Sequence, residues 1–485
     1  MTEFFKSICQ YSEARLRRAV NGFPKIESRL DGVSPYRMVA FLCCALFLAG
    51  PARAAQPDPD LARFIAAKSN QIYLASQNQN TLVPPEVWQM FAAASGADWK
   101  SASSLLEMIK TNYHSGSSRK LAPEVWFRVQ DVGGFCDLVS TNNLKFLRLF
   151  AEEVFKVIPP GSIYFGGTDP GRFVITALSR SQEEGKPCFT LTQNQLADAD
   201  YLKYLRGVYR QQMKLPDDAR SADAFSEYMA DAQRRLAHDQ QFPNEAKQVL
   251  PGEDIRRVNG RLEISGQTAV MCINGILARD IFEDNPEHDF YVEESYALPW
   301  MYPYLEPAGP IFRMHHAAPD TLFEETVRND REYWQKLTRR LIGQEIHDET
   351  DLATVCAAAQ ELIGKPRDFQ GDPDFLRDES ARKTFSKLRS SIGGLYNWRA
   401  SHAKTSSERR QMEREAELAC KQAYLLCPRS PEAVWRYAIC LITAHRAEDA
   451  QKFLAAARKL SPDDETMKSL VKYAGQMAEW ERINR

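Results

Sequence analysis

Residues 158–173 read IPPGSIYFGGTDPGRF, and this stretch decides the class of fold. Its short apolar run, SIYF, is typical of a buried strand. The run enters a double-glycine turn at Gly166 and Gly167, and an Asp-Pro pair then begins a helix. Asp169 is a suitable N-cap, and Pro170 is a suitable first helical residue because no N–H is needed there. The stretch therefore predicts a strand, a tight turn and a helix.

Extended and helical segments alternate on both sides of this stretch, from residue 144 to residue 320. Further strands are predicted by CFTLTQN (188–194), DFYVEES (289–295) and GPIFRMHH (309–316). An Asn-Gly pair at 259–260, between extended residues, predicts a hairpin. Strands that alternate with helices indicate an α/β domain with a mostly parallel sheet.

The segment before this domain, residues 55–143, has helical spacing. The string Pro-Glu-Val-Trp occurs at 85–88 and again at 123–126. Proline suits the first turn of a helix, and glutamate there complements the positive end of the helix dipole. Each string therefore predicts a helix start, and the tryptophans are expected to anchor the core.

The segment after the domain is predicted to be helical throughout, with residues 321–383 as a linker and residues 384–485 as repeats. Small and large side chains between Pro431 and Pro462 follow the spacing of a helical pair. The predicted inward-facing residues are Val434, Tyr437, Ala438, Leu441, Ala450, Leu454 and Ala457. Pro428 lies one 34-residue period before Pro462, as Ala416 and Ala423 lie one period before Ala450 and Ala457. This pattern resembles the tetratricopeptide repeat family.

Composition narrows the classes of partner. The chain has 485 residues, with 62 basic and 64 acidic side chains and a formal net charge of −2. Such a balance gives no electrostatic footprint for nucleic acid or for an anionic membrane surface. The length predicts more than one domain.

The N-terminal residues 1–54 contain the parts of a secretory signal. Arg37 precedes the apolar run 39–50, and Ala52-Arg53-Ala54 matches a cleavage site. We expect cleavage after Ala54, translation from Met38, and an exported chain that is periplasmic or extracellular. The alternative is an uncleaved N-terminal anchor. No other segment is long and apolar enough for a bilayer span, so none is expected after cleavage.

The cysteines follow neither a disulfide framework nor a metal-binding pattern. Ten are present, and seven follow residue 54. Cys420, Cys427 and Cys440 fall at apolar helical positions and are predicted to be buried thiols. We expect no metal site and no cofactor.

The double-glycine turn is the first candidate for ligand binding. Gly166 and Gly167 follow a strand, where backbone N–H groups can approach an anion. Thr168 and Arg172 have no evident structural role there, and residues 192–194 form a polar end of another strand. The glycine spacing matches no nucleotide motif. A tight connection without a ligand is the alternative.

Two histidines and an aspartate form a second candidate. His315, His316 and Asp320 have the H-H-x-x-x-D spacing of acyl-transfer condensation enzymes, although Thr321 replaces the expected glycine. Adjacent histidines also resemble part of a metal site, but no further ligand is placed by the sequence. A polar loop is the remaining interpretation.

Acidic and aromatic side chains form a third candidate. Glu293 and Glu294 end a predicted strand, and Trp300, Tyr302 and Tyr304 follow. Aromatic faces beside carboxylates are typical of carbohydrate sites, and paired acids also serve glycoside hydrolysis. Neighbouring residues on a strand point to opposite faces, so both acids cannot serve one site within it.

Several stretches between residues 145 and 460 resemble a family of secreted bacterial proteins with C-terminal tetratricopeptide repeats. They include IPPGSIYFGGTDPGR, FYVEESYALPWMYPYLEPAGPI and FSKLRSSIGGLYNWR. PPGSIYFGGTDPG and YLEPAGPIFRM are also distantly similar to the soluble part of multi-spanning protein O-mannosyltransferases. This chain lacks the membrane helices of that family and its acidic catalytic loop. The resemblance therefore implies an accessory part, and no catalytic residue carries over.

Taken together, these patterns predict an exported, non-catalytic interaction or scaffold protein of the cell envelope, linked to glycan or glycoprotein processing. Its repeats would bind a protein or peptide, and carbohydrate is a second expected ligand. The alternative is an enzyme, a glycosyl transferase or hydrolase, that uses Asp169, Arg172, Glu294 and His315. A carbohydrate-binding module built on the aromatics of 300–304 is the third possibility.

Overall fold

The computed structural model describes residues 58–483, apart from residues 80, 82, 115–119, 180–187, 251, 259–260, 295–297, 365–368 and 463–464. The predicted signal segment lies outside the described residues. Helices contain 68% of the described residues, so the strands form a minor layer inside a mainly helical protein. Within the described chain, none of the helices is both long and apolar enough to cross a membrane.

The N-terminal part was predicted to be helical, and its described residues form four helices. They are α1 (Pro59–Gln79), α2 (Pro85–Ser95), α3 (Trp99–Tyr113) and α4 (Pro123–Thr141). Pro85 and Pro123 occupy the first positions of α2 and α4, which confirms both helix starts. Trp126 is buried, and Trp88 packs against the core.

Five strands form the main sheet, in the order β2-β1-β5-β7-β6. The strands are β1 (Ile163–Gly166), β2 (Phe189–Thr192), β5 (Phe290–Val292), β6 (Leu305–Ala308) and β7 (Ile311–Met314). β1 is parallel to β2 and β5, whereas β7 is antiparallel to β5 and β6. The sheet is therefore mixed, and the prediction of a mostly parallel sheet is corrected.

The antiparallel half arises from a hairpin that the sequence patterns missed. β6 contains Pro307, which removes a backbone donor, and β6 takes an edge position where that donor is not needed. Gly309 adopts a φ of 59° in the connection to β7, a conformation that favours glycine. β7 therefore returns beside β5 in the opposite direction.

Helices and a second, two-stranded sheet complete the α/β part. The helices are α5 (Leu144–Phe155), α6 (Ile175–Leu178), α7 (Ala199–Tyr209), α8 (Asp218–Gln241) and α9 (Gln267–Asp284). A π-helical turn, Pro170–Val174, runs directly into α6. β3 (Asp254–Val258) and β4 (Arg261–Ser265) pair antiparallel on either side of the predicted hairpin turn, whose residues are outside the described part.

The C-terminal part is helical. Its helices are α10 (Glu324–Ile342), α11 (Leu352–Gly364), α12 (Pro373–Arg377), α13 (Glu379–Ser401), α14 (Ser406–Leu426), α15 (Pro431–Thr443), α16 (Ala447–Leu460) and α17 (Glu465–Ile483). All seven predicted inward-facing side chains of α15 and α16 are buried. α13 and α14 have 23 and 21 residues, against 13 and 14 for α15 and α16.

One contiguous hydrophobic core joins these parts. It runs from Leu61 in α1 to Ala474 in α17 and includes the strands. α13 lies at its centre: between Phe385 and Ala400 every side chain is buried or half-buried. α13 contacts β6 and β7 as well as α14 and α15. The repeats and the sheet therefore share one interior.

Candidate functional site

The three parallel strands end at one edge of the sheet. Gly166 of β1 pairs with Thr192 of β2, and Phe165 of β1 pairs with Val292 of β5. Ligands of open α/β sheets gather outside the carboxyl ends of such strands. The double-glycine turn, the polar end of β2 and the acids after β5 therefore lie at the same edge of the sheet.

Glu293 fills the double-glycine turn with its own carboxylate. Oε2 accepts hydrogen bonds from the backbone N–H groups of Gly167 (3.0 Å) and Thr168 (2.9 Å). Oε1 accepts a third hydrogen bond, from Oγ1 of Thr168 (2.5 Å). Glu293 is only 2% exposed. The donors that would meet an external anion are thus occupied by a residue of this chain.

Gly171 provides the space for that carboxylate. A Cβ atom at Gly171 would overlap Oε2 of Glu293 and would lie 3.0 Å from the hydroxyl of Tyr164. Burial raises the pKa of Glu293, while the hydrogen bonds from Thr168 and Gly167 act in the opposite direction. The net shift is upward because desolvation disfavours the charged carboxylate.

Thr168, and not Asp169, caps the helical turn. Oγ1 of Thr168 accepts a hydrogen bond from the N–H of Gly171 (3.2 Å), and its carbonyl accepts one from the N–H of Arg172 (2.8 Å). Asp169 is exposed, and its side chain makes no capping hydrogen bond. The predicted N-cap is therefore corrected by one residue, and Thr168 has the structural role that the sequence left open.

Arg172 ties the turn to the N-terminal helices. Its Nη2 donates to Oε1 of Gln195 (2.8 Å), and Nε2 of Gln195 donates to Gln130 of α4 (3.1 Å). The guanidinium lies 4.3 Å from the ring centroid of Phe173. Burial lowers the pKa of Arg172. Arg172 therefore points into the packed interface between the turn and the N-terminal helices.

Glu294 follows the end of β5, as Glu293 does, but it bonds to different neighbours. Its Oε2 accepts a hydrogen bond from the hydroxyl of Tyr302 (2.7 Å). Its Oε1 accepts one from Nη2 of Arg436 (2.6 Å), which lies on the repeat helix α15. Glu294 is 7% exposed. This strand-end acid therefore bonds the sheet to the repeats.

Arg436 is enclosed by acids and by a glycine. Glu432 lies 3.4 Å from its Nη2. Burial lowers the pKa of Arg436, but the carboxylates of Glu294 and Glu432 raise it more, so the net shift is upward. A Cβ atom at Gly394 of α13 would overlap the guanidinium. Gly394 of α13 thus leaves room for this arginine.

A second arginine also bonds the repeat helices to the sheet side of the protein. Arg399 of α13 donates to the carbonyls of Pro303 (2.9 Å), Leu305 (3.1 Å) and Pro319 (3.0 Å). The ring of Trp398 lies 5.8 Å from that of Tyr302. We call this set the clasp: Glu294 and Tyr302 on the sheet side, with Arg399 and Arg436 on the repeat side.

The aromatics of 300–304 pack against other side chains. Tyr302 is buried in the clasp. Trp300 and Tyr304 lie 5.9 Å and 5.5 Å from the ring of Phe282. The three rings therefore take part in the core, and they do not form one exposed row.

The two histidines and Asp320 are not brought to this edge. β7 runs antiparallel to β5, so His315 follows β7 at the edge where β5 begins. Its Nε2 lies 2.8 Å from Oε1 of Glu306. His316 bonds the carbonyl of His288 (2.9 Å), and Asp320 lies 2.9 Å from Lys404. The three side chains thus have three separate partners.

No group of three or more metal-ligating side chains occurs among the described residues. The seven described cysteines are all unpaired, and Cys420, Cys427 and Cys440 are buried as predicted.

Comparison with known protein families gives one match. Residues 413–472 match the tetratricopeptide repeat. The matched segment begins within α14, eight residues into that helix, and runs through α15 and α16 into α17. No curated protein matches the chain. The repeat prediction is thereby confirmed for the last helical units.

Sequence patterns did not indicate the residues that hold the carboxyl ends of the parallel strands together. Gly171, Arg399 and Arg436 were not identified, and Glu293 was not assigned to the turn. A partial signal was present in Gly171 and Gly394, since a glycine inside a helical pattern often permits a close approach. Glu293 lies 126 residues from its donor Gly167, and Arg436 lies 142 residues from Glu294, so neither contact leaves a local pattern.

Proposed function

We propose that this chain is an exported, non-catalytic scaffold of the cell envelope that binds a protein or peptide through its C-terminal helical repeats. The observation that carries the proposal is the tetratricopeptide match over residues 413–472. Stacked repeats of this kind build extended surfaces for partners.

The surface available to a partner lies at the C-terminal end of the stack. The clasp covers the sheet-facing sides of α13 and α15, and α11 contacts both α14 and α16. Exposed side chains remain on α16 and α17. They include Gln451, Lys452, Ala455, Arg458, Lys459, Lys472 and Gln476.

The strand edge supports a structural role for the α/β part. Glu293 is held by the turn, Glu294 by Arg436, and Arg172 by Gln195. Each predicted ligand-binding side chain with a buried head group is thus bonded within the chain. An enzyme or sugar-binding site would need some of these groups to be available to its substrate.

Export and a link to glycan processing rest on sequence patterns alone. The signal-like residues 37–54 support export, and the distant similarity to the soluble part of O-mannosyltransferases supports the link. Export and the link to glycan processing are therefore parts of what we propose.

Site-specific photo-crosslinking in the producing cells tests the scaffold proposal. A benzophenone side chain would be placed at Gln451 on α16 or at Lys472 on α17, both exposed. Lys110 on α3, whose side chain is 41% exposed, is the matched control position. We expect a discrete crosslinked protein from the two repeat positions and none from position 110. Equal products from all three positions, or none from the repeats, would contradict the proposal.

A thermal-shift screen with sugars and sugar phosphates tests the alternative. A ligand at about 100 times its Kd stabilises a protein by about 2.7 kcal/mol, which is readily measured. A shift that disappears in a folded Glu294→Gln variant would favour a carbohydrate site over the scaffold.

A further inference from the structure

Helix α8 is long, and one side of it packs against the rest of the protein. Of its 24 residues, four are buried, at a spacing of three or four: Ala224, Tyr228, Ala232 and Arg235. On this side Arg235 donates to the carboxylate of Glu253, just before β3 (2.8 Å). The helix also contacts α9. Charged side chains of α8 thus take part in packing within the chain.

A second side of α8 is exposed or half-exposed and carries no charge. Its side chains also recur every three or four residues, so they form one line along the helix. We call this line the α8 stripe, and it consists of Ala222, Phe225, Met229, Gln233, Leu236 and Gln240. Phe225 is 53% exposed. The stripe extends over about 27 Å. An exposed row of this kind, with large apolar side chains in it, is typical of an interaction surface.

Two charged residues border the α8 stripe and indicate what can cover it. Asp223 is exposed, and the side chain of Arg234 is 77% exposed although it pairs with Asp231. Asp223 and Arg234 lie on the same flank of the helix, about 16 Å apart along its axis, which is too far for them to bond each other. A partner that fits this flank therefore carries a base near Asp223 and an acid near Arg234. The same flank of a second α8, running in the opposite direction, has both.

We propose that the α8 stripe binds the same stripe of a second copy of this chain, with the two helices antiparallel about a two-fold axis beside Met229. In such a pair, residues at equal distances from Met229 along the chain face each other. Ala222 then faces Leu236 of the second copy, so a small side chain meets a large one. Asp223 of each copy lies opposite Arg234 of the other, within one residue.

This dimer is independent of the proposed role of the repeats. The α8 stripe belongs to the α/β part, whereas the proposed partner surface lies on α16 and α17. A dimer joined through α8 leaves one such surface on each copy.

The size of the contact sets the expected affinity. Each copy contributes one helix, and interfaces that bury less than about 1,200 Å² in total belong to weak, reversible complexes. We therefore expect a monomer–dimer equilibrium with a Kd in the micromolar range.

Sedimentation velocity of the full chain, purified from the producing cells, tests the dimer over the micromolar range of concentration. We expect the weight-average sedimentation coefficient to rise reversibly with concentration. Met229→Glu places two carboxylates at the axis and should raise the dimer Kd by about tenfold or more. Ala92→Glu, at an exposed position on α2, is the matched control and should leave the Kd unchanged. Circular dichroism shows whether each variant is folded.

A charge exchange tests the antiparallel arrangement. Arg234→Glu brings two acids together at each end of the contact, and Asp223→Arg brings two bases together. Each should raise the Kd by about threefold or more. The double variant Asp223→Arg/Arg234→Glu should restore the wild-type Kd. Since the two positions cannot reach each other within one chain, restoration requires the second copy.

Three results would overturn the inference. A monomer at every concentration would exclude the dimer, and a dimer unchanged by Met229→Glu would place the contact elsewhere. A double variant no better than the single variants would exclude the antiparallel pair.

Discussion

Glu294, at the end of a central strand, and Arg436, on a repeat helix, bond to each other at 2.6 Å although 142 residues separate them in the sequence. The Glu294 side chain is buried, and Tyr302 completes the hydrogen bonding of its carboxylate. An acid in the place where α/β proteins hold ligands thus binds the protein's own repeats. The position of the repeats on the sheet is therefore fixed by a charge pair and not by apolar packing alone.

Substitution of Arg436 should lower the free energy of unfolding. Arg436→Met leaves the carboxylate of Glu294 buried with Tyr302 as its remaining partner, and removal of one member of a buried pair costs about 3 kcal/mol or more. Urea denaturation measures the change. Arg446→Met is the control, since Arg446 is 39% exposed and its pairs with Glu417 and Asp449 should contribute less than about 1 kcal/mol.

The double variant Arg436→Met/Glu294→Gln tests the cause of that loss. If an unpaired buried charge is responsible, the double variant should be more stable than Arg436→Met alone. Additive losses would contradict a direct interaction between the two side chains.

A methyl group at Gly171 should disrupt the turn. Gly171→Ala displaces the carboxylate of Glu293 from its donors and should destabilise the fold by about 3 kcal/mol. Gly207→Ala is the matched substitution, because Gly207 lies inside α7 with open space around its Cβ position. It should stabilise the helix by up to about 1 kcal/mol. Similar thermal unfolding of both variants would contradict the packing described for Gly171.

The stability of the turn should depend on pH through Glu293. Burial raises the pKa of this carboxyl in the folded chain, so the folded chain binds its proton more tightly than the unfolded chain does. The stabilisation is complete below the unfolded pKa, about 4.3, and is lost as pH rises through the folded pKa. Glu293→Gln cannot titrate but keeps an acceptor for the two backbone donors.

The measurement is urea denaturation of wild type and Glu293→Gln at several pH values from about 4 to about 7. The difference in unfolding free energy should move in favour of the variant as pH rises. A constant difference, or one that moves toward the wild type, would contradict a raised pKa for Glu293.

Packing between α15 and α16 should not tolerate larger side chains. Ala450 is fully buried on α16, and Ala450→Leu should destabilise the repeats by about 1–3 kcal/mol. Ala455 is exposed on the same helix, and Ala455→Leu should change stability by less than about 0.5 kcal/mol. Equal melting temperatures for the two variants would show that α16 is not held as described.

Local patterns were sufficient to predict most elements of the fold. The two Pro-Glu-Val-Trp strings gave correct helix starts because N-terminal helix signals are local. The strand Ile163–Gly166 was recognisable from its apolar run and following glycines. The mixed sheet was not predicted, because the direction of β7 depends on the hairpin with β6. β6 includes Glu306 and Pro307, which do not read as a strand.

The sequence indicated several polar residues of this edge, but it did not indicate the partners that they bond. Parallel strands bring their ends together, so the grouping of Gly167, Thr168 and the acids after β5 follows from topology. The partners do not, because Glu293 and Arg436 reach these positions only through long-range folding. The choice of Thr168 over Asp169 as cap also depends on Glu293, which engages the same threonine hydroxyl.

The central position of α13 limits how these repeats can be exchanged during evolution or in engineering. A cut near residue 384 falls inside that helix, since α13 begins at Glu379. An excised repeat segment would carry Arg389 and Arg399 without Asp330 and without the carbonyls of the sheet side. The repeats of this protein are therefore not a transferable module. We expect an excised repeat segment to be less stable than the full chain, because these arginines would lose their partners in the preceding layer.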